Sequence, residues 1–331
     1  MGRVFFGAEL FDPEVEMIEI GNEELYWERV RTLPRPGEEN FLAFYDHRLG
    51  AVFTNPRLML IPLDDHLVHR GDGVFEAMRF EDGAIYQLDE HVGRLMRSAA
   101  AIDLPCPVGP EVLAELVRQV CVVSAAAEGN VLVFLGRGPG GFTLDTRECP
   151  ESSLYVVVKR FPRKSESFWE DGVSAVRTRI PAKQGWMSQI KSVNYLPNVL
   201  MKKDAIEQGA DYPLCFDDEG FLAEGSTENA VLVDRDGVFV VPELRNALMG
   251  TTLKRAMNLA AGFVPVATRP VPEDELYGCR EIILLGTSID AVSVVRYNGR
   301  VVADGRPGPV SRRLRELLVA DRKAHGQPLQ G

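Results

Sequence analysis

Three dipeptides, Asp82-Gly83, Asp236-Gly237 and Asn298-Gly299, each stand between two apolar runs. Such residues accept the left-handed backbone that tight hairpins need, so they read as antiparallel turns. Around them the apolar period switches between 2 and 3.6. It predicts strands over 58–61, 74–80, 84–88, 131–135, 154–161, 173–180, 212–216, 281–285 and 291–296. Helices are expected over 89–102, with Asp89 as N-cap, and over 110–127, 196–208, 251–261 and 309–323. Hairpins and helices mix without regular strand-helix-strand alternation, so the fold class is α+β rather than a doubly wound parallel sheet.

A chain of 331 residues is long enough for two cores. The polar, aperiodic Pro162-Arg163-Lys164-Ser165-Glu166-Ser167 supplies a junction. The expected division is a small N-terminal α+β domain over 1–161, a linker over 162–168, and a larger C-terminal α+β domain over 169–331. Residues 1–45 carry no assignable chemistry and are expected to wrap or extend the first domain. A net charge of −11, without any block of like charge, argues against nucleic acid as a partner. No apolar run of about 18 residues is present to span a membrane, and Met1–Glu9 is too short an apolar stretch for a secretory signal. Five cysteines, odd in number and without a CxxC pair, fit reduced thiols in a cytoplasm.

The chemistry concentrates between Gln189 and Asn229. Lys191 sits in Gln189-Ile190-Lys191-Ser192-Val193-Asn194-Tyr195, and the strip from Gly172 to Leu200 contains no acidic residue. Nothing adjacent in sequence favours the ammonium form. A desolvated lysine loses its proton more easily and attacks carbonyls, which a Schiff base with an aldehyde cofactor such as pyridoxal phosphate (PLP) requires. The plain alternative is a solvated surface lysine. Only eight lysines occur, none before Lys159, so a Schiff-base lysine must lie at Lys159 or later. A phosphate needs positive charge, hydroxyls and free N–H groups at a helix start. Gly250-Thr251-Thr252, Gly286-Thr287-Ser288 and Arg94 could supply these, although ordinary capping explains each alone.

Two motifs are set aside. Gly136-Arg137-Gly138-Pro139-Gly140-Gly141 satisfies GxGxxG, but it leads into another strand instead of opening a helix, so it is not read as a dinucleotide site. Asp64-Asp65-His66-Leu67-Val68-His69 contains metal-ligand types. Between Pro62 and Gly71 it reads as a polar loop, and no metal is expected.

The stretches IKSVNYLPNVL, AEGSTENAVLV and LMGTTLKRA resemble the fold-type IV (class IV) PLP enzymes over roughly residues 45 to 320. That family holds branched-chain aminotransferases, D-amino acid aminotransferases and aminodeoxychorismate lyases. KSVNYLPN together with RGPGGF is most similar to a subgroup including plant D-amino acid aminotransferase and lyase-like proteins. The resemblance implies a two-domain D-amino acid aminotransferase-like architecture, PLP held by Lys191, amino acid and 2-oxo acid substrates, and a homodimer. It implies Arg94, Gly250, Thr251, Thr252 and Thr287 at the phosphate, and Glu224 at the pyridine nitrogen. Leu248 would lie against the ring face, with Ser226, Thr227 and Asn229 also in the cofactor site. Tyr195 would face the phenolate, although its spacing from the lysine is one shorter than in branched-chain enzymes. On the substrate side stand Phe75, Ser288, and Arg79 and Arg137 as carboxylate partners; either arginine could equally be a salt-bridge residue. The carboxylate traps of the two aminotransferase subtypes have no match, so neither subtype is assigned. Transamination, with Lys191 moving the proton, is the implied reaction. The alternatives are a pyruvate-releasing lyase, or a non-catalytic relative that binds a phosphorylated ligand.

Overall fold

The structure, a computed structural model, describes residues 19–330. Met1–Glu9 lies outside them. The chain divides into two compact units at Glu38. The described part of the first carries a helix, Glu23–Thr32, whose cap Asn22 accepts the Leu25 N–H at 2.9 Å.

In the second unit the strands form two sheets. The first is antiparallel throughout, and runs in the order 327–328, 84–85, 73–81, 128–136, 153–159, 41–46, 51–53. Its hairpin at Asp82-Gly83 has φ of 50° and 74°, the left-handed pair the turn chemistry requires. Along Gly73–Glu81 the buried residues alternate, so Val74, Met78 and Phe80 face the core under the helices Leu88–Ala100 and Pro110–Val123. Burying each such side chain contributes about 1.5–3 kcal/mol. Phe75, Ala77 and Arg79 lie on the opposite face.

The second sheet runs 266–269, 239–242, 229–233, 281–286, 290–297, 173–177, 212–214, with 300–301 paired to 290–297. It mixes antiparallel pairs with three parallel ones. Asn298 and Gly299 take φ of 48° and 75° in the predicted hairpin. Mixed helix and sheet in this arrangement is the α+β class expected. Every strand of the second sheet follows 162–168, and every strand of the first precedes it except Gln327–Pro328. We propose that segment as the domain junction on this ground; the last two-residue strand then crosses back to the first sheet.

Several local expectations change. The strand expected at 58–61 is instead the 3-10 turn Pro56–Leu58, capped by Asn55. Strands form earlier, at Phe41–Asp46 and Ala51–Phe53, because Ser153–Lys159 offers Phe41–Asp46 a pairing edge. Helix 88–100 starts from Gln87 in a left-handed conformation (φ 56°) and not from an Asp89 cap. Asp89 sits in the first turn and accepts from Gln327. His66–His69 is a short helix, capped by Asp65, rather than a loop. Among the described residues no cluster of His, Cys, Asp or Glu could hold a metal ion, and no helix is long and apolar enough to cross a membrane. The five cysteines are free.

Candidate active site

A cavity of about 280 Å³ opens between the outer face of the first sheet and the loops of the second. Phe75, Ala77 and Asn130 supply one wall from strands 73–81 and 128–136. The loops ending at Lys191, Glu224, Gly250 and Ser288 supply the rest.

Lys191 is held by its backbone. Its carbonyl accepts the Phe75 N–H at 2.9 Å, its N–H lies 3.3 Å from Ser98 Oγ, and Val193 N–H reaches Gly73 O at 3.0 Å. The side chain is thereby fixed against the first sheet, with Nζ 4.5 Å from the centroid of the Phe75 ring and 3.1 Å from Tyr195 Oη. Burial, then the nearby Arg94 guanidinium, lowers its pKa from 10.5 to about 8. Tyr195 meets the Phe75 ring edge to face at 4.8 Å, and burial pushes its phenol up.

Glu224 comes from the other side. A short ladder positions it, with Cys215 N–H on its carbonyl and a bridge to Asn229. Its carboxylate accepts the Leu248 N–H at 3.2 Å. Burial raises its pKa from 4.5 to about 7, against the pull of that N–H and of Lys183 and Lys191.

At a third corner the helix Thr251–Ala260 begins from Gly250, with no side chain capping it. Its first N–H groups therefore have no side-chain cap, and the helix dipole favours an anion there. A Cβ on Gly250 would lie 2.1 Å from Asn229 Oδ1, which is itself fixed because Asn229 Nδ2 donates to Leu248 O at 2.8 Å. Only glycine lets the two loops approach this closely. Arg94 points to the same corner: Nη1 donates to Met249 O at 3.2 Å, while Nε and Nη2 donate to the buried Glu76 at 2.6 and 2.8 Å. His91 shares Glu76 through Nδ1 at 2.7 Å and reaches Thr251 Oγ1 through Nε2 at 3.3 Å.

Fourteen of the sixteen expected residues line this one cavity: Phe75, Arg94, Lys191, Tyr195, Glu224, Ser226, Thr227, Asn229, Leu248, Gly250, Thr251, Thr252, Thr287 and Ser288. Ser226 and Thr227 are organised by Glu228, which accepts the Thr227 N–H at 3.0 Å and lies 3.4 Å from Ser226 Oγ. Arg79 and Arg137 do not line it. Arg79 pairs with Glu81 and lies over the Phe161 ring at 4.0 Å. Arg137 donates to both oxygens of Asp72 and to the carbonyls of Ile102 and Asp103. The Arg137 donors are thus engaged within the fold, whereas Arg79 gives Nη2 to Glu81 and its buried Nε has no hydrogen-bond partner. The loop 136–141 opens no helix, so a dinucleotide fingerprint is absent.

Glu76, His91, Lys183 and Asn198 belong to the site or its support and were not read from the sequence. For Glu76 a signal existed: it is a carboxylate at a core-facing position of an alternating strand, which demands buried partners. The whole donor set, a lysine of low proton affinity, a carboxylate opposite, and an uncapped helix start with threonines and an arginine, fits a phosphorylated aldehyde with a basic ring nitrogen.

The family model described as amino-transferase class IV matches residues 73–297. The D-amino-acid transaminase, chloroplastic, of Arabidopsis thaliana is 33% identical over 295 residues, 87% of this chain and 78% of that protein. A putative branched-chain-amino-acid aminotransferase of Methanocaldococcus jannaschii is 29% identical over 272 residues, 81% of this chain and 93% of its own length. Among solved structures, the Escherichia coli branched-chain amino acid aminotransferase shares the fold at a TM-score of 0.82 and 21% identity, over 87% of this chain and 99% of that one. The branched-chain aminotransferase of the thermophilic archaeon Thermoproteus uzoniensis, solved with norvaline, shares it at a TM-score of 0.79 and 22% identity, over 87% and 99% of the two chains.

Proposed function

This chain belongs to the amino-transferase class IV family, and we propose that it moves an amino group between an amino acid and a 2-oxo acid, as a branched-chain or D-amino acid type enzyme, with PLP held at Lys191. One observation carries this reading: Lys191, at a pKa of about 8, faces Glu224 across a cavity whose third corner is an uncapped helix start. When bound, the cofactor supplies an electron sink for charge developing at the substrate Cα.

The chain's own residues do the rest. Arg94, Thr251, Thr252, Thr287 and the N–H groups after Gly250 would bind the phosphate, while Leu248 packs beside the ring. Glu224 would hold the ring nitrogen, and Tyr195 would keep Lys191 Nζ oriented by the hydrogen bond seen at 3.1 Å. Once free, the Lys191 amine moves a proton to and from the substrate Cα, a task for which a pKa near ambient pH is suited. Phe75 and Ser288 would shape the substrate side. The apolar Leu196, Val199 and Ile206, all exposed on helix 196–207, support a homodimer. Free cysteines support a reducing, cytoplasmic location.

The test is reduction with borohydride after PLP loading, followed by peptide mass spectrometry. A pyridoxyl adduct on Lys191 is expected, and an unmodified Lys191 would overturn the reading. An amino-donor panel of L and D acids then assigns the subtype. Pyruvate release from aminodeoxychorismate without amine transfer would favour the lyase.

A further inference from the structure

Lys183 stands eight residues before Lys191, in the loop after strand 173–177, and lines the same cavity. Its ammonium lies 4.6 Å from the centroid of the Tyr195 ring, on the ring face. Among the described residues no hydrogen bond or ion pair reaches it. The cavity's other cations are committed: Arg94 is clamped by Glu76 and Met249 O, and Lys191 donates to Tyr195. A half-buried ammonium without a counter-ion is costly, and such a cost is retained where the charge has a task.

The charges around it point to one. Burial lowers the Lys183 pKa, and Glu224 opposes that shift. Glu224 is raised by burial and drawn back down by Leu248 N–H, Lys183 and Lys191, with Glu228 working the other way. Lys191 feels Arg94, Glu76, Glu224 and Lys183. Without Lys183, Glu224 would keep its own proton more readily, and a neutral acid gives a protonated ring nitrogen no counter-charge.

We propose that Lys183 is a positioning residue that acts through Glu224: its unpartnered ammonium, held over the Tyr195 ring in the same cavity, keeps that carboxylate ionised to receive the cofactor's ring nitrogen. This rests on the PLP reading above. The charge, rather than the lysine stem, is the active feature, so arginine can replace it and methionine cannot.

The experiment follows the Glu224 carboxyl directly, by carbon NMR of cofactor-free protein labelled at glutamate, with the signal assigned through Glu224→Gln. Lys183→Met is expected to raise the Glu224 midpoint by about one pH unit, and Lys183→Arg to return it to the wild-type value. In the PLP-loaded protein the pH profile of cofactor absorbance should move with Lys183→Met and recover with Lys183→Arg. An unmoved Glu224 midpoint in a folded Lys183→Met protein overturns the inference. So does a rise in amino-donor KM with the midpoint unchanged, which would make Lys183 a substrate anchor. Borohydride trapping of wild-type Lys191 separates the two failures, because it tests the PLP reading without involving Lys183.

Discussion

Glu76, with no exposed surface, receives Nε and Nη2 of Arg94 at 2.6 and 2.8 Å, so a strand of the first sheet sets the guanidinium of a helix beside the start of another. Burial alone would raise the Glu76 carboxyl; hydrogen bonds from Arg94 and the charge of His91 outweigh it and hold the pKa at about 2. Glu76→Gln leaves Arg94 buried without its counter-charge and is expected to cost about 3–5 kcal/mol in urea unfolding. The carboxylate's contribution is fully present above pH 4.5 and is lost as pH falls towards 2. The gap between wild type and variant should therefore close over that window, and a gap constant with pH would contradict the assignment.

Glu224 carries the opposite sign. Its folded pKa is raised to about 7 from 4.5, so the native state binds more protons and stability falls as pH rises through that interval. In cofactor-free protein Glu224→Gln should melt higher than wild type at pH 8, by up to about 3 kcal/mol. At pH 4.5 the two should coincide, which thermal melts across the range can check.

Lys191→Met should lower kcat by at least about 10²- to 10⁴-fold and leave no borohydride adduct. Its stability effect has a pH signature of its own. A lysine depressed from 10.5 to about 8 penalises the folded state fully below pH 8, and the penalty lifts as pH rises to 10.5. The cofactor-free variant should thus be the more stable protein at pH 7, with the advantage gone near pH 10.5.

Gly250→Ala places a methyl 2.1 Å from Asn229 Oδ1 at an ordinary negative φ, so the clash is with a neighbour and not within the backbone. Asn229 must release Leu248 O or the helix start must move. Losing one charge-assisted contact to phosphate predicts about 10- to 100-fold weaker PLP binding in a fluorescence titration.

Arg137→Met should unfold more easily, by about 1–3 kcal/mol, because Asp72 and the carbonyls of Ile102 and Asp103 lose their donors. The amino-donor KM of the folded fraction should not change. A tenfold rise in KM would return this arginine to the substrate side.

Much of this is legible in the chain. Asp82-Gly83 and Asn298-Gly299 can be read locally because a two-residue turn depends on two residues' own φ preferences. Helices 110–123 and 251–260 follow from apolar spacing, whereas 196–207 buries Asn198 and Asp204 and exposes Leu196, Val199 and Ile206. Strand 41–46 is not legible, because its stability comes from pairing with residues 153–159, which lie more than a hundred positions away. The partner of Arg137 is hidden for a related reason: Asp72, which takes its donors, stands 65 positions away in the chain.

The sequence by itself determined the turn sites, the faces of the amphipathic helices 88–100, 110–123 and 251–260, and the lysine and carboxylate with chemistry to offer, since these depend on residue type and short spacing. Only the tertiary structure decided that Lys191 and Glu224 face one cavity, that Glu76 clamps Arg94, and that Lys183 stands beside them without a partner. Those relations join separate strands and loops of two sheets, and burial, which sets each group's affinity for a proton, exists only after the sheets have closed on one another.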